Sequence, residues 1–204
     1  MSIEQQAVEI ITQTLRDKPA ANLMLATGST MEPVYALLRG ADLDFSLANT
    51  FNLDEYLDGN QFHEFMNAQL FEHVNISSEN IHFPAIGYDA LIAEAGGIDL
   101  CILGIGVNGH IAFNEPGSSV NSRTRVVELD ASTRVRNSEL SGEEIPSKAI
   151  SAGIATILDC KRIIVIASGE EKREAVNNAR YSDISDKCPA SFLQAHSDVT
   201  WLVP

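Results

Sequence analysis

Short, mainly apolar runs alternate along this chain with segments whose apolar residues recur at helical spacing. The apolar runs predict buried strands at Asn22–Ala26, Ala48–Leu53, Ile98–Leu103, Val126–Leu129, Arg162–Ala167 and Val199–Val203. The periodic segments predict helices at Ile3–Arg16, Glu32–Arg39, Phe62–His73, Ser147–Leu158, Glu170–Ala179 and Pro189–Ala195. Apolar strands separated by helices are typical of parallel sheets covered on both faces. The pattern therefore predicts an α/β fold with a largely parallel sheet and helices on both faces, a doubly wound, Rossmann-like arrangement.

The chain is predicted to form one domain over residues 1–204. We find no internal repeat, no low-complexity tract and no linker, and 204 residues fit one α/β domain. The N-terminal segment lacks the basic start and apolar run of a signal peptide, and no run reaches membrane-spanning length. The three cysteines are widely spaced and read as free thiols. These features predict a cytoplasmic protein.

The net charge of the chain limits which classes of partner it can bind. The formal net charge is -14, which argues against nucleic acid and anionic membranes as partners. A small phosphorylated ligand stays compatible, because backbone N–H groups and one or two local cations can hold a phosphate.

Polar, glycine-rich or titratable residues follow four of the predicted strands. In open parallel sheets, ligands bind beyond the carboxyl ends of the strands. The four segments are Thr27–Thr30, Asp54–Glu55, Gly104–Glu115 and Ser168–Lys172. Their convergence on one sheet edge predicts the functional site.

The first of these segments has two interpretations. Gly28, Ser29 and Thr30 precede a helix, where backbone N–H groups can hold a phosphate, and Lys172 could add a cation. Ser and Thr are equally favoured there as an ordinary helix cap, and a lysine in a first helical turn is often merely solvated.

The third segment matches the pattern GxGxxG through Gly104, Gly106 and Gly109. A dinucleotide site would require a helix at the last glycine, whereas Pro116 and the glycine after it would stop one almost at once. We therefore interpret the glycines as allowing tight packing that brings His110 into a site for proton transfer. Glu115 in the same loop could orient or charge the imidazole.

Asp54 ends an apolar strand. A partly desolvated carboxylate at this position could remove a proton from carbon. A helix cap or a charge at the sheet edge is the plainer alternative, and the local sequence alone favours it.

Several segments resemble the glucosamine-6-phosphate deaminase family, also called glucosamine/galactosamine-6-phosphate isomerases. The resemblance covers nearly the whole chain, and its most specific part is Leu103–Gly117, whose Phe-Asn-Glu-Pro the related 6-phosphogluconolactonases lack. The other matching segments are Ala26–Thr30, Phe51–Tyr56, Ser122–Arg125, Ala149–Ala155 and Pro189–Leu193.

The resemblance implies a hydrolase of amino-sugar metabolism that converts glucosamine 6-phosphate and water to fructose 6-phosphate and ammonium. His110 would open the sugar ring, Asn108 and Glu115 would position or tune it, and Asp54 would carry a proton from C2 to C1. Gly28, Ser29, Thr30 and Lys172 would hold the phosphate. No metal or organic cofactor is implied.

Some positions depart from the family pattern. Glu139 stands where the family usually has a phosphate-gripping arginine, so Arg134 or Arg136 would have to substitute. Asn108 replaces the aspartate of some members and cannot take a proton, which would leave relay work to Glu115. The chain is short after Asp58, and we expect it to be without the C-terminal arm of the larger allosteric members. We therefore expect no allosteric control of that kind, and we expect the protein to be a monomer or a small homo-oligomer.

Four alternatives stay open on the sequence. A galactosamine-6-phosphate isomerase is the nearest. A 6-phosphogluconolactonase-like hydrolase or a non-catalytic sugar-phosphate sensor would use the same fold, and a nucleotide-binding domain is the most distant.

Overall fold

The computed structural model describes residues 1–129, 134, 135, 138, 142 and 144–203. Its α-helices are α1 (Ile3–Asp17), α2 (Glu32–Arg39), α3 (Gln61–Gln69), α4 (Tyr88–Glu94), α5 (Ile154–Leu158) and α6 (Arg173–Tyr181). Its strands are β1 (Asn22–Leu25), β2 (Asn49–Asn52), β3 (Asp54–Tyr56), β4 (Ile81–His82), β5 (Leu100–Gly104), β6 (Arg125–Glu128), β7 (Lys148–Ser151), β8 (Ile163–Ile166) and β9 (Val199–Leu202). Short 3₁₀ helices cover Phe71–His73, Ser78–Asn80, Glu170–Lys172 and Pro189–Ala195.

Six strands form the central sheet, in the order β4-β2-β1-β5-β8-β9, and every neighbouring pair is parallel. From β1 the chain adds β2 and then β4 on one side of the sheet. It then adds β5 on the other side of β1, followed outward by β8 and β9. Right-handed crossovers in opposite directions put helices on opposite faces. All residues of β1 and β8 are buried, as a sheet covered on both faces requires. The predicted fold class is confirmed.

A second, three-stranded sheet has the order β3-β7-β6 and is antiparallel. The sequence did not predict it. Asp54 and Glu55 therefore do not simply follow a strand: they begin β3, and Asp54 pairs with Ser151. The expected helix at Ser147–Leu158 is wrong in its first half, which is strand β7.

Gly153 separates β7 from α5 and explains that error. A Cβ at this position would overlap the backbone of Ser122, so only glycine allows the two segments to touch. The helix that follows has five residues. Ile154 and Ile157 are buried on it, and their helical spacing dominated the pattern.

Two elements escaped prediction because they are short. Strand β4 has two residues and α4 has seven. The predicted helix at Pro189–Ala195 is a 3₁₀ helix. In the described part of the chain, no helix is both long enough and apolar enough to cross a membrane.

Candidate active site

The four polar segments singled out above follow four strands that lie side by side. The central run of the sheet is β2-β1-β5-β8. Asp54 follows β2, the segment Gly28–Thr30 follows β1, His110 follows β5 and Lys172 follows β8. The order in which the chain adds strands reverses between β1 and β5, and open α/β sheets form their ligand crevice at such a switch point. The predicted convergence at one sheet edge is therefore present.

The loop after β5 holds a chain of three hydrogen-bonded side chains. Asn108 Nδ2 donates to Glu115 Oε2 at 2.8 Å, and Asn108 Oδ1 lies 2.7 Å from His110 Nδ1. The backbone N–H of His110 also donates to Asn108 Oδ1, at 3.2 Å. Asn108 thus connects the histidine to the carboxylate.

This chain fixes which nitrogen of His110 carries the proton. A carboxylate only accepts, so the amide nitrogen of Asn108 faces Glu115 and its oxygen faces the imidazole. Nδ1 must then be the donor, and Nε2 of the neutral ring holds the lone pair. Glu115 Oε2 lies 3.6 Å from Nδ1, beyond hydrogen-bond distance, so Asn108 carries the contact that the sequence assigned to Glu115 directly.

Gly106 and Gly109 allow other side chains to pack closely against the loop. A Cβ on Gly106 would overlap the imidazole of His110, and a Cβ on Gly109 would come within 2.5 Å of Cys188 Sγ. Gly109 also has a φ of 83°, a left-handed conformation. No helix begins at Gly109, so the loop lacks the geometry of a dinucleotide fingerprint.

Asp54 is a buried carboxylate with 7% of its surface exposed. Burial, and then the negative charge of Glu55, raise its pKa to about 7. Among the described residues, no donor lies within hydrogen-bond distance of its carboxylate. A carboxyl group in this setting can hold or release a proton near neutral pH.

Tyr88 borders Asp54, and the sequence missed it because α4 was not predicted. Its hydroxyl donates to the carbonyl oxygens of Asn52 (2.8 Å) and His82 (3.2 Å). Burial, and then the charge of Asp54, raise the pKa of Tyr88 well above its ordinary value. The phenol therefore stays neutral and fixes the ends of β2 and β4 beside the carboxylate.

Lys172 and Thr30, 142 positions apart in sequence, are in contact at the other side of the crevice. Lys172 Nζ donates to Thr30 Oγ1 at 2.9 Å. Gly28 and Ser29 are exposed in the same turn, and the φ of Gly28 is 105°. Arg134 donates through Nε to the carbonyl of Ile145 at 3.1 Å. Arg136 and Glu139 lie outside the described residues.

The described residues contain no group of three or more His, Cys, Asp or Glu side chains placed to hold a metal ion.

Known proteins resemble this chain over nearly its whole length. The sequence profile of glucosamine-6-phosphate isomerases/6-phosphogluconolactonase matches residues 1–201. A glucosamine-6-phosphate deaminase from Rhodopirellula baltica is 44% identical over 223 aligned positions, covering 99% of this chain and 89% of the relative. One from Bacillus velezensis is also 44% identical, covering 98% and 92%.

Solved structures give the same picture. A monomeric glucosamine-6-phosphate deaminase of the NagB superfamily superimposes with a TM-score of 0.94 at 39% identity, over 98% of this chain and 92% of that one. A 6-phosphogluconolactonase from Thermotoga maritima has a TM-score of 0.79 at 22% identity, over 100% and 96%, and shares the fold.

The match extends from the first residue to the last strand and includes every segment of the crevice, so this chain belongs to the glucosamine-6-phosphate isomerase/6-phosphogluconolactonase family.

Proposed function

We propose that this protein is a glucosamine-6-phosphate deaminase, which converts glucosamine 6-phosphate and water to fructose 6-phosphate and ammonium. The observation that carries the proposal is the pairing of two proton-transfer groups in one crevice. Asp54 is a buried carboxyl group with a pKa of about 7, and His110 presents Nε2 as a proton acceptor. Relatives that are 38–44% identical and carry this name support it.

Ring opening falls to His110 in this proposal. Nε2 takes the proton of the anomeric hydroxyl and returns it to the ring oxygen as the C1–O bond breaks. The charge that the imidazole gains is spread through Asn108 toward Glu115, whose carboxylate accepts from the amide at 2.8 Å.

Isomerisation falls to Asp54. The carboxylate removes the proton from C2 of the open-chain sugar and delivers it to C1. Its pKa of about 7 makes it a stronger base than an ordinary aspartate, while a large fraction stays ionised at neutral pH. Water then hydrolyses the imine at C2 and releases ammonium.

The phosphate is held at the other side of the crevice. Lys172 and Thr30 meet there, beside the exposed backbone of Gly28 and Ser29. This turn precedes α2, so its N–H groups and the helix N-terminus favour an anion. Arg134 is the further cation that we propose as a substrate ligand. The protein is expected to act as a monomer, as the similar solved deaminase does.

A lactonase of the same fold is the competing function, and Asp54 separates the two. Lactone hydrolysis needs no base at C2, whereas isomerisation does. We expect ammonia release from glucosamine 6-phosphate, and Asp54→Asn should reduce kcat about 10³-fold. Asp58→Asn is the matched control, because Asp58 is exposed and its left-handed φ of 61° suits asparagine.

Galactosamine 6-phosphate and 6-phosphogluconolactone belong in the same assay. Ammonia only from galactosamine 6-phosphate would move the substrate to that epimer. Lactone hydrolysis that survives Asp54→Asn, without ammonia from either sugar, would overturn the deaminase proposal. Binding without turnover of any of them would indicate a sensor.

A further inference from the structure

Glu55 is a buried carboxylate next to Asp54 with a different set of contacts. Only 7% of its surface is exposed. Oε1 accepts the backbone N–H of Tyr56 at 2.8 Å and of Phe62 at 3.2 Å, and Oε2 accepts that of His63 at 2.8 Å. Three backbone donors therefore converge on one side chain.

Two of those donors belong to the first turn of α3. The first N–H groups of a helix have no partner inside the helix, and a capping side chain usually satisfies them. Asn60, at the N-cap position, makes no such hydrogen bond. Glu55 does this from the neighbouring strand, and its negative charge is favourable at the positive end of the helix. The start of α3 is thus fixed to β3.

Phe62 extends this connection to the histidine loop. Its ring packs against Tyr56 with centroids 4.6 Å apart and against Phe113 at 5.9 Å. Phe113 lies in the loop that holds His110, and its backbone N–H donates to Ser151 Oγ, on the residue that pairs with Asp54. One carboxylate therefore holds the strand of Asp54, the start of α3 and, through the aromatic rings, the loop of His110.

We propose that Glu55 is a positioning residue of the reaction, which fixes strand β3, and with it Asp54, against the start of α3. Its negative charge adds to the effect of burial in raising the pKa of Asp54. The proposal rests on the proposed function only for its kinetic consequence. The negative charge of Glu55 opposes ionisation of Asp54, whose carboxylate has no hydrogen-bond donor within the described part of the chain.

The other titratable groups around Asp54 do not supply this effect. Tyr88 on α4 is neutral, and burial lowers the pKa of His82 on β4, which keeps it neutral as well. Lys148 and Arg125 lie on the second sheet, and a cation near Asp54 would favour its ionised form instead of opposing it. His110, in the loop packed on that sheet, would act in the same direction when protonated.

The test is Glu55→Gln, which keeps the size of the side chain and removes its charge. The amide oxygen of the glutamine can still accept the N–H groups of Tyr56 and Phe62, but its NH₂ group, itself a donor, would face the N–H of His63. We expect kcat to fall roughly tenfold. The acidic limb of the kcat/KM profile should move to lower pH by about one unit.

Two further variants act as controls. Glu64→Gln removes the same charge from an exposed position on α3 and should leave both readouts unchanged. Glu55→Asp keeps the charge but shortens the reach, so kcat should fall while the acidic limb stays in place. If Glu55→Gln does not fold, the Asp variant decides: wild-type kcat in it would overturn the positioning role.

A carbon-13 NMR titration of the Asp54 carboxyl makes the measurement independent of turnover. We expect its midpoint near pH 7 in the wild type and about one unit lower in Glu55→Gln. An unchanged midpoint would overturn the inference even in an active enzyme. A shifted midpoint in a protein that releases no ammonia would instead count against the proposed function alone.

Discussion

Asp54 and Glu55 are neighbours in sequence and equally buried, yet they differ in what surrounds their oxygens. Glu55 accepts three backbone N–H groups, whereas burial and the charge of Glu55 raise the pKa of Asp54. Proton-transfer sites typically place neighbouring carboxyl groups in different environments, as here, where one is hydrogen-bonded and the other is buried with a raised pKa. The local sequence favoured a helix cap or a sheet-edge charge at Asp54, and the capping role belongs to its neighbour Glu55.

The raised pKa of Asp54 predicts a pH-dependent stability. Protonated Asp54 favours the folded state, so its contribution is complete below pH 4 and is lost as the pH rises through about 7. Relative to Asp54→Asn, the free energy of unfolding of the wild type should fall by up to about 4 kcal/mol between pH 4 and pH 8. Urea unfolding of both proteins at several pH values measures it. A constant difference would contradict the raised pKa.

Gly106 predicts a second effect at the scale of one residue. In Gly106→Ala the new methyl group would occupy the space of the His110 ring, which must then leave Asn108. We expect a loss of about 10²-fold in kcat with a folded protein. Gly104→Ala is the matched control, because its Cβ would lie 3.6 Å from Met31 Cε, an ordinary contact. Equal activities in the two variants would contradict the packing of the imidazole on Gly106.

At the scale of elements, the sequence predicted most of the central sheet because strands such as β5 and β8 are almost continuous apolar runs. It also predicted which strand ends carry polar residues, since residue type and position are enough for that. It missed β3 and β7, because strands of three and four residues that carry Asp54, Glu55 and Lys148 lack an apolar run. Pairings across about 100 residues, such as Asp54 with Ser151, leave no local pattern.

The contact between the loops after β1 and β8 predicts how the phosphate is held. Lys172→Met removes the ammonium group that meets Thr30 Oγ1. We expect KM for the sugar phosphate to rise about 10- to 100-fold with a smaller change in kcat, since an interaction made equally in the ground and transition states changes binding. Lys187→Met, at an exposed site, is the control. A fall in kcat alone would place Lys172 in the chemical step.

At the scale of the whole molecule, the net charge of -14 opposes the approach of a phosphorylated sugar. Added salt screens this repulsion. We therefore expect kcat/KM to rise about two- to fivefold between 10 and 150 mM ionic strength. Rates measured in two different salts, with sucrose as a neutral control, test this. A steady decrease would mean that the local cations near Thr30 dominate the field at the crevice.

The order of the central sheet has a consequence for the chain as it is made. Strand β5, which carries the histidine loop, lies between β1 and β8, and β8 is formed by residues 163–166. A nascent chain that has not yet reached those residues has one open side on β5, whose first four residues are wholly apolar and buried in the finished protein. Unpaired apolar strand edges recruit other strands. We therefore expect chains released by ribosomes that stall between β5 and β8 to aggregate more readily than the complete chain.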